Sequence, residues 1–82
     1  MDKLNLNPDI LKSMMATGTV KRVTVVAGSA GFSLLVRAAG LQRPLTTFRG
    51  NVRAFKNLKT ALHYLHSLGV TRFDVDISEY QP

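Results

Sequence analysis

Residues 57–69 carry an apolar stripe at helical spacing, and this stripe constrains the fold more than any other sequence feature. Its members follow the spacing i, i+3, i+4, i+7 and i+10, and they are Leu58, Ala61, Leu62, Leu65 and Leu68. Asn57 is a suitable N-cap before the stripe, and Gly69 is a suitable residue to end the helix. Because an isolated helix of this length is marginal in water, its apolar side must pack on another layer. The flanking segments therefore determine the fold class.

Three segments that favour β-strands precede this helix. Residues 20–27 are rich in β-branched side chains, and residues 32–37 alternate between the two faces of a predicted second strand. Residues 28–31 (GSAG) predict a hairpin turn between them. Residues 43–49 predict a third strand, and Pro44, which has no N–H, predicts that this strand lies or begins at a sheet edge. The three strands form a predicted meander.

A short helix and a last strand complete the pattern. Asn7 followed by Pro8 is typical of a helix N-terminus, which predicts a short helix over residues 8–17. Residues 73–77 (FDVDI) alternate apolar with acidic residues. This alternation predicts a strand with its apolar side chains in the core and its acidic side chains in solvent.

These elements predict a single α+β domain over residues 1–82, in the order α-β-β-β-α-β. A chain of this length supports only one core, because it buries just about 60–65% of its unfolded surface. We expect the sheet and main helix within residues 19–78, as an antiparallel three-stranded meander plus a fourth strand, with one face covered by the main helix. The fourth strand can return beside strand one or strand three, and Pro44 favours strand one.

The absence of cysteine excludes disulfides and thiolate metal sites. The N-terminus does not resemble a signal peptide, and no apolar stretch approaches the roughly 20 residues of a membrane span. We therefore expect a cytoplasmic protein with no membrane partner, which folds alone or as a homodimer.

The charges of this chain are unevenly distributed along the sequence. Residues 10–73 contain ten of the eleven Lys and Arg residues, all except Lys3, and not one Asp or Glu. The acidic residues lie near the ends, and they are Asp2, Asp9, Asp74, Asp76 and Glu79. A field of one sign attracts and steers polyanions, which favours nucleic-acid binding. The alternative is that the basic charge only keeps a small protein in solution.

Three other candidate sites have simpler structural explanations. Residues 28–31 fit the GxxG spacing of a phosphate-binding loop, but they lie between two predicted strands and fit a hairpin better. His63 and His66 share a helix face, yet no cysteine completes a zinc site. Asp74 and Asp76 share the solvent side of a strand without the further groups that a catalytic pair needs. We expect no metal site, no cofactor and no enzymatic activity.

The basic residues of strands two and three and of the main helix start are the strongest candidate site. They are Arg37, Arg43, Arg49, Arg53, Lys56 and Lys59. Guanidinium groups bind phosphates in a bidentate manner, and a sheet can enter the DNA major groove. Phe32, Phe55 and Phe73 fit core positions, and Phe48 remains unassigned. A shortage of exposed aromatic residues for base stacking favours duplex DNA over single strands.

The run RGNVRAFKNLKTALHYLHSLGVTRFDVDISEY (residues 49–80), together with Leu6-Asn7-Pro8 before a short helix, resembles small plasmid partition-associated proteins of the ParC type. The shared features are an arginine-containing turn, the "nLktAl.yL..lGv" helix and the closing "rFdVD" strand. This resemblance implies plasmid maintenance in a bacterial cytoplasm, as a non-enzymatic accessory of partition proteins.

Two hypotheses follow from these observations. The first is a small basic accessory protein of plasmid partition that binds duplex DNA through the six cations. The second is a protein-interaction module without nucleic-acid contact, which docks a partner or a second copy through an edge strand or the N-terminal helix.

Overall fold

The computed structural model describes residues 6–80, which form two helices and a four-stranded mixed sheet. The elements are α1 (Pro8–Ala16), β1 (Arg22–Gly28), β2 (Gly31–Ala38), β3 (Leu41–Pro44), α2 (Leu58–Ser67) and β4 (Asp74–Asp76). The predicted α+β class and the order α-β-β-β-α-β are confirmed. The sheet order is β3-β2-β1-β4, in which β4 runs parallel to β1 and the other pairs are antiparallel. The fourth strand thus lies beside the first, and β3 lies at an edge, as Pro44 predicts.

Both helices begin at asparagine caps. The side-chain oxygen of Asn7 accepts a hydrogen bond from the backbone N–H of Ile10 at 2.9 Å. The side-chain oxygen of Asn57 accepts a hydrogen bond from the backbone N–H of Thr60 at 2.9 Å, and a second one from the Thr60 hydroxyl at 2.9 Å. Each cap satisfies a backbone donor that has no partner within the helix.

The core lies on one face of the sheet, where both helices pack. The alternating residues Val25 and Leu34 are fully buried there, together with Leu11 of α1 and Leu65 of α2. Both α1 and the main helix α2 therefore cover this face of the sheet. Within residues 6–80, no helix is long and apolar enough to cross a membrane.

The last strand is less buried than its sequence pattern predicts. Val75 lies in register with the fully buried Val25 of β1, but 48% of its surface is exposed, and Ile77 is 65% exposed. The expectation that these side chains lie in the core is wrong because β4 has three residues and lies at the sheet edge, with a neighbouring strand on one side only.

The third strand is displaced from its predicted range of residues 43–49. The β2–β3 ladder ends at Pro44, and the next two residues bond to separate segments, since Leu45 donates to Leu34 at 2.9 Å and Thr46 donates to Leu6 at 2.8 Å. The chain then reverses, and Arg53 donates back to Leu45 at 2.9 Å. Bonds to partners distant in sequence therefore end the regular strand.

Candidate nucleic-acid interface

The sheet face away from the helices is open, and its strand residues carry balanced charge. Arg22 and Arg37 lie directly opposite each other in the β1–β2 ladder, while Asp74 and Asp76 lie beside β1 on the same face. The Arg22 guanidinium contacts the Asp74 carboxylate at 2.7 Å, with both side chains more than half exposed. Because two cations meet two carboxylates, this face attracts a polyanion only weakly.

A second group of cations lies where the chain passes from β3 to α2. We call it the junction cluster, and it consists of Arg49, Arg53, Lys56 and Lys59. Arg49 lies in the turn closed by the bond from Gly50 N–H to the Thr47 carbonyl at 2.9 Å. Lys56 and Lys59 flank the Asn57 cap and are exposed, and the first turn of α2 contains no acidic residue. Lys56 and Lys59 therefore place positive charge at a helix N-terminus, which is itself electropositive.

Arg53 is held in place by aromatic rings. Its guanidinium carbon lies 4.6 Å from the centroid of the Phe55 ring and 6.0 Å from that of Tyr64. The two rings pack with centroids 5.4 Å apart. Burial raises the pKa of the Tyr64 hydroxyl above its usual value, and the nearby positive charge of Arg53 partly opposes this rise. Arg53 thus has a packing role, through cation–π contact, that the sequence did not reveal.

The remaining two predicted cations lie on opposite faces of the sheet. Arg37 is exposed on the open face, opposite Gln42. Arg43 pairs with the buried Val36, so its half-buried side chain lies on the face of the helices. There it lines an apolar groove beside α1. The other four candidate cations lie close together in sequence, within residues 49–59.

A family model described as ParC-like matches residues 6–82. The chain belongs to the ParC-like family. Comparisons with curated protein sequences and with solved structures gave no match. Family membership confirms the resemblance seen in residues 49–80, and it suggests a plasmid-associated role.

Phe48 is a further candidate binding residue of this ParC-like protein, and the sequence pattern does not assign it a role. Its side chain is 66% exposed, and it lies beside Arg49 in the turn before Gly50. Strand alternation does not indicate this exposure, because Phe48 lies in a turn after the regular strand has ended, and the consecutive residues Leu45 and Thr46 are both buried. An exposed aromatic ring beside an arginine can stack on a base or wedge between bases.

The other candidate sites keep their structural explanations. Residues 28–31 form the β1–β2 hairpin, with Gly28 paired to Gly31. His63 and His66 are both exposed on α2, and within residues 6–80 no three His, Asp or Glu side chains group to hold a metal ion. The exposed Asp76 carboxylate accepts a hydrogen bond from the Ser78 N–H at 2.8 Å. The bonds from Ser78, first from its backbone and then from its side chain, lower the pKa of Asp76.

Proposed function

We propose that this ParC-like protein is a non-enzymatic accessory of plasmid partition or maintenance that binds duplex DNA through the junction cluster. One observation carries the proposal: four cations lie within residues 49–59, and residues 10–73 contain no acidic residue. The acidic residues Asp74 and Asp76 lie on β4, at the opposite edge of the sheet from β3. Asp74 and Asp76 are therefore separated from β3 by the two central strands, whereas Glu79 lines a surface depression together with Val52 and Ala54 of the junction segment.

The chemistry of the cluster suits a phosphate backbone. Arg49 can bind phosphate oxygens in a bidentate manner, and the ammonium groups of Lys56 and Lys59 act as point charges. A lysine in the first turn of a helix is electrostatically unfavourable to the free helix. A phosphate bound beside Lys59 offsets the repulsion between the lysine ammonium and the positive end of the helix dipole. Phe48 adds an apolar contact beside Arg49.

A salt titration of DNA binding tests the proposal. Fluorescence anisotropy of a short labelled duplex between about 50 and 200 mM salt should give a log–log slope of about −3.6 for four phosphate contacts. The double variant Lys56→Gln/Lys59→Gln should bind more weakly, and its slope should be less steep by about 1.8. The charge-matched control is Lys12→Gln/Lys21→Gln, whose lysines lie outside the cluster and whose slope should match that of the unchanged protein. A flat salt response, or no binding at micromolar protein in low salt, overturns the proposal.

A single-stranded probe of the same length tests the choice of duplex. We expect the duplex to bind more tightly, because phosphate contacts dominate and, of the phenylalanine and tyrosine rings of residues 6–80, Phe48 and Tyr80 are the exposed ones. Phe48→Ala should weaken both complexes without changing the salt slope. Tighter binding of the single strand would assign the cluster to unpaired DNA.

A second candidate function rests on a different surface. Between α1 and β3 lies an apolar groove of about 250 Å³, beside which Ile10 is 41% exposed and Leu41 is 56% exposed. This groove favours a protein-interaction module that docks a partner, such as a partition protein, through the β3 edge or α1. Recovery of one defined partner after nuclease treatment, with loss of that partner in Leu41→Asp, would support this function over DNA binding.

A further inference from the structure

The chain between β3 and α2 folds back on itself as a small hairpin. We call this unit, residues 45–53, the junction hairpin. At its base, the Arg53 N–H donates to the Leu45 carbonyl at 2.9 Å, and nearer its tip the Thr47 N–H donates to the Asn51 carbonyl at 2.7 Å. These bonds fix the two arms relative to each other, so the turn between them begins and ends at fixed points.

The turn of the junction hairpin places two unlike side chains at its tip. The Gly50 N–H donates to the Thr47 carbonyl at 2.9 Å, which closes a turn with Phe48 and Arg49 at its two central positions. Gly50 has a φ of +93°, a conformation that glycine adopts without steric strain. Phe48 and Arg49 are both exposed. A fixed backbone thus presents an aromatic ring and a guanidinium next to each other in solvent.

The stability of the fold does not explain a phenylalanine at this tip. Phe55 belongs to the buried core, and Phe32 and Phe73 pack against it. Within residues 6–80, Phe48 is the phenylalanine that stays outside this core. Exposed turns favour Gly, Pro, Asn, Asp and Ser, each of which serves the turn better than an aromatic residue. An exposed ring at a fixed turn therefore points to a contact with another molecule.

The tip of the junction hairpin suits a polyanion better than its return arm does. Val52 on the return arm is 54% exposed, but it lines a depression that also includes Glu79. The Glu79 carboxylate repels phosphates, whereas Arg49 at the tip attracts them. We therefore expect the tip, and not the return arm, to meet the duplex.

We propose that Phe48 acts as a wedge that enters the minor groove of the bound duplex, partly unstacks one base step and bends the DNA. This inference rests on the DNA-binding function proposed above, and it specifies what the junction cluster does to its DNA. Proteins that bend DNA from the minor groove combine Arg or Lys contacts with an apolar side chain inserted between base pairs. The tip supplies one of each in adjacent positions, Arg49 and Phe48.

A wedge predicts a preference for deformable DNA without any base-specific hydrogen bond. Pyrimidine–purine steps such as TA are easily kinked, whereas A-tracts are stiff. The unchanged protein should therefore bind a duplex with a central TA step at least about fivefold more tightly than an A-tract duplex of the same length. In Phe48→Ala this preference should disappear or reverse, because the narrow minor groove of the A-tract still attracts Arg49.

A bending assay separates the wedge from simple binding. The probe is a duplex of about 25 base pairs with a donor and an acceptor dye at its ends and 2-aminopurine at the central step. Saturating unchanged protein should raise both the energy transfer, through a bend of about 20–90°, and the 2-aminopurine fluorescence, through unstacking. Phe48→Ala should leave both signals at the values of the free duplex while keeping the salt slope of binding.

Two further variants act as controls. Phe48→Leu keeps an apolar side chain at the tip and should still bend the duplex. Val52→Ala removes an exposed apolar side chain from the return arm and should bend the duplex as the unchanged protein does. Because Phe48 and Val52 are both exposed, neither change should prevent folding.

The outcomes distinguish this inference from the proposed function. Duplex binding with a salt slope of about −3.6, but with both optical signals unchanged, overturns the wedge and leaves the DNA-binding proposal standing. Bending that persists in Phe48→Ala also overturns the wedge. A protein that does not bind the duplex overturns both proposals. Binding to vesicles of anionic lipid that requires Phe48, without bending of the duplex, would assign the ring to a membrane surface and overturn the wedge as well.

Discussion

At the scale of single residues, Gly31 is a position where the backbone leaves no room for a side chain. Its φ is +125°, and a Cβ added there would lie 2.5 Å from the Phe55 carbonyl oxygen. Phe32 and Phe55 exchange backbone hydrogen bonds of 2.8 and 2.6 Å next to this glycine. Gly31→Ala should therefore destabilise the protein by about 2–3 kcal/mol, measured by urea unfolding. The control is Gly28→Ala in the same hairpin, where the added Cβ would meet its nearest atom at 3.8 Å. Equal losses in the two variants would contradict this explanation.

The contact between Arg53 and Tyr64 gives a second prediction at the residue scale. Burial raises the pKa of Tyr64, and the charge of Arg53 opposes this rise. Arg53→Gln should therefore raise the pKa of Tyr64 further, seen as tyrosinate absorbance in a Tyr80→Phe background. Because the folded pKa exceeds the unfolded value of 10.0, this group contributes stability below pH 10 that is lost as the pH rises through the folded pKa. The matched control Lys56→Gln should leave the titration unchanged, and a lower Tyr64 pKa in Arg53→Gln would contradict the assignment.

Local residue roles were predictable from the sequence, and long-range roles were not. Asn7 and Asn57 were identified as caps because a cap needs only the next few residues. Phe55 was assigned to the core, and it is 2% exposed. The packing role of Arg53 was missed because the Tyr64 ring lies in another element. The role of Gly31 was missed because its neighbour, Phe55, is distant in sequence.

At the scale of elements, the Asn57 cap allows helix stability and DNA binding to be separated. Asn57→Ala removes an acceptor for the Thr60 N–H and should cost about 1 kcal/mol in urea unfolding. Asn57→Asp keeps the cap and places a negative charge between Lys56 and Lys59, at the helix end that favours it. This variant should be at least as stable as the unchanged protein, yet its DNA salt slope should be less steep by about 0.9. A parallel loss of stability and binding in Asn57→Asp would show that the helix, and not the charge, controls binding.

The number, type and order of the elements followed from periodicity, because most of them bury one regular face. β3 was displaced in the prediction because Leu45 and Thr46 bond to Leu34 and Leu6, partners that periodicity does not reveal. The exposure of Val75 does not follow from periodicity either. The alternation of apolar and acidic residues in β4 is regular, but β4 is a short strand at the sheet edge. Of the candidate cations, Arg37 and Arg43 were grouped with the others because sequence proximity does not show that they face opposite sides of the sheet.

At the scale of the whole molecule, the sheet order separates two charged ends. β4 carries Asp74 and Asp76 at one edge, whereas the chain leaves β3 at the other edge and enters the junction cluster. Position in the fold, and not net charge alone, should therefore decide which residues contribute to the binding of duplex DNA.

Charge removal at two different places tests this prediction. Asp76→Asn, on β4, should leave the salt slope of duplex binding unchanged, whereas Lys56→Gln/Lys59→Gln should make it less steep by about 1.8. Fluorescence anisotropy of a short labelled duplex over the same salt range measures both slopes. Equal and opposite changes per unit of charge in the two variants would show that net charge, and not position, controls binding.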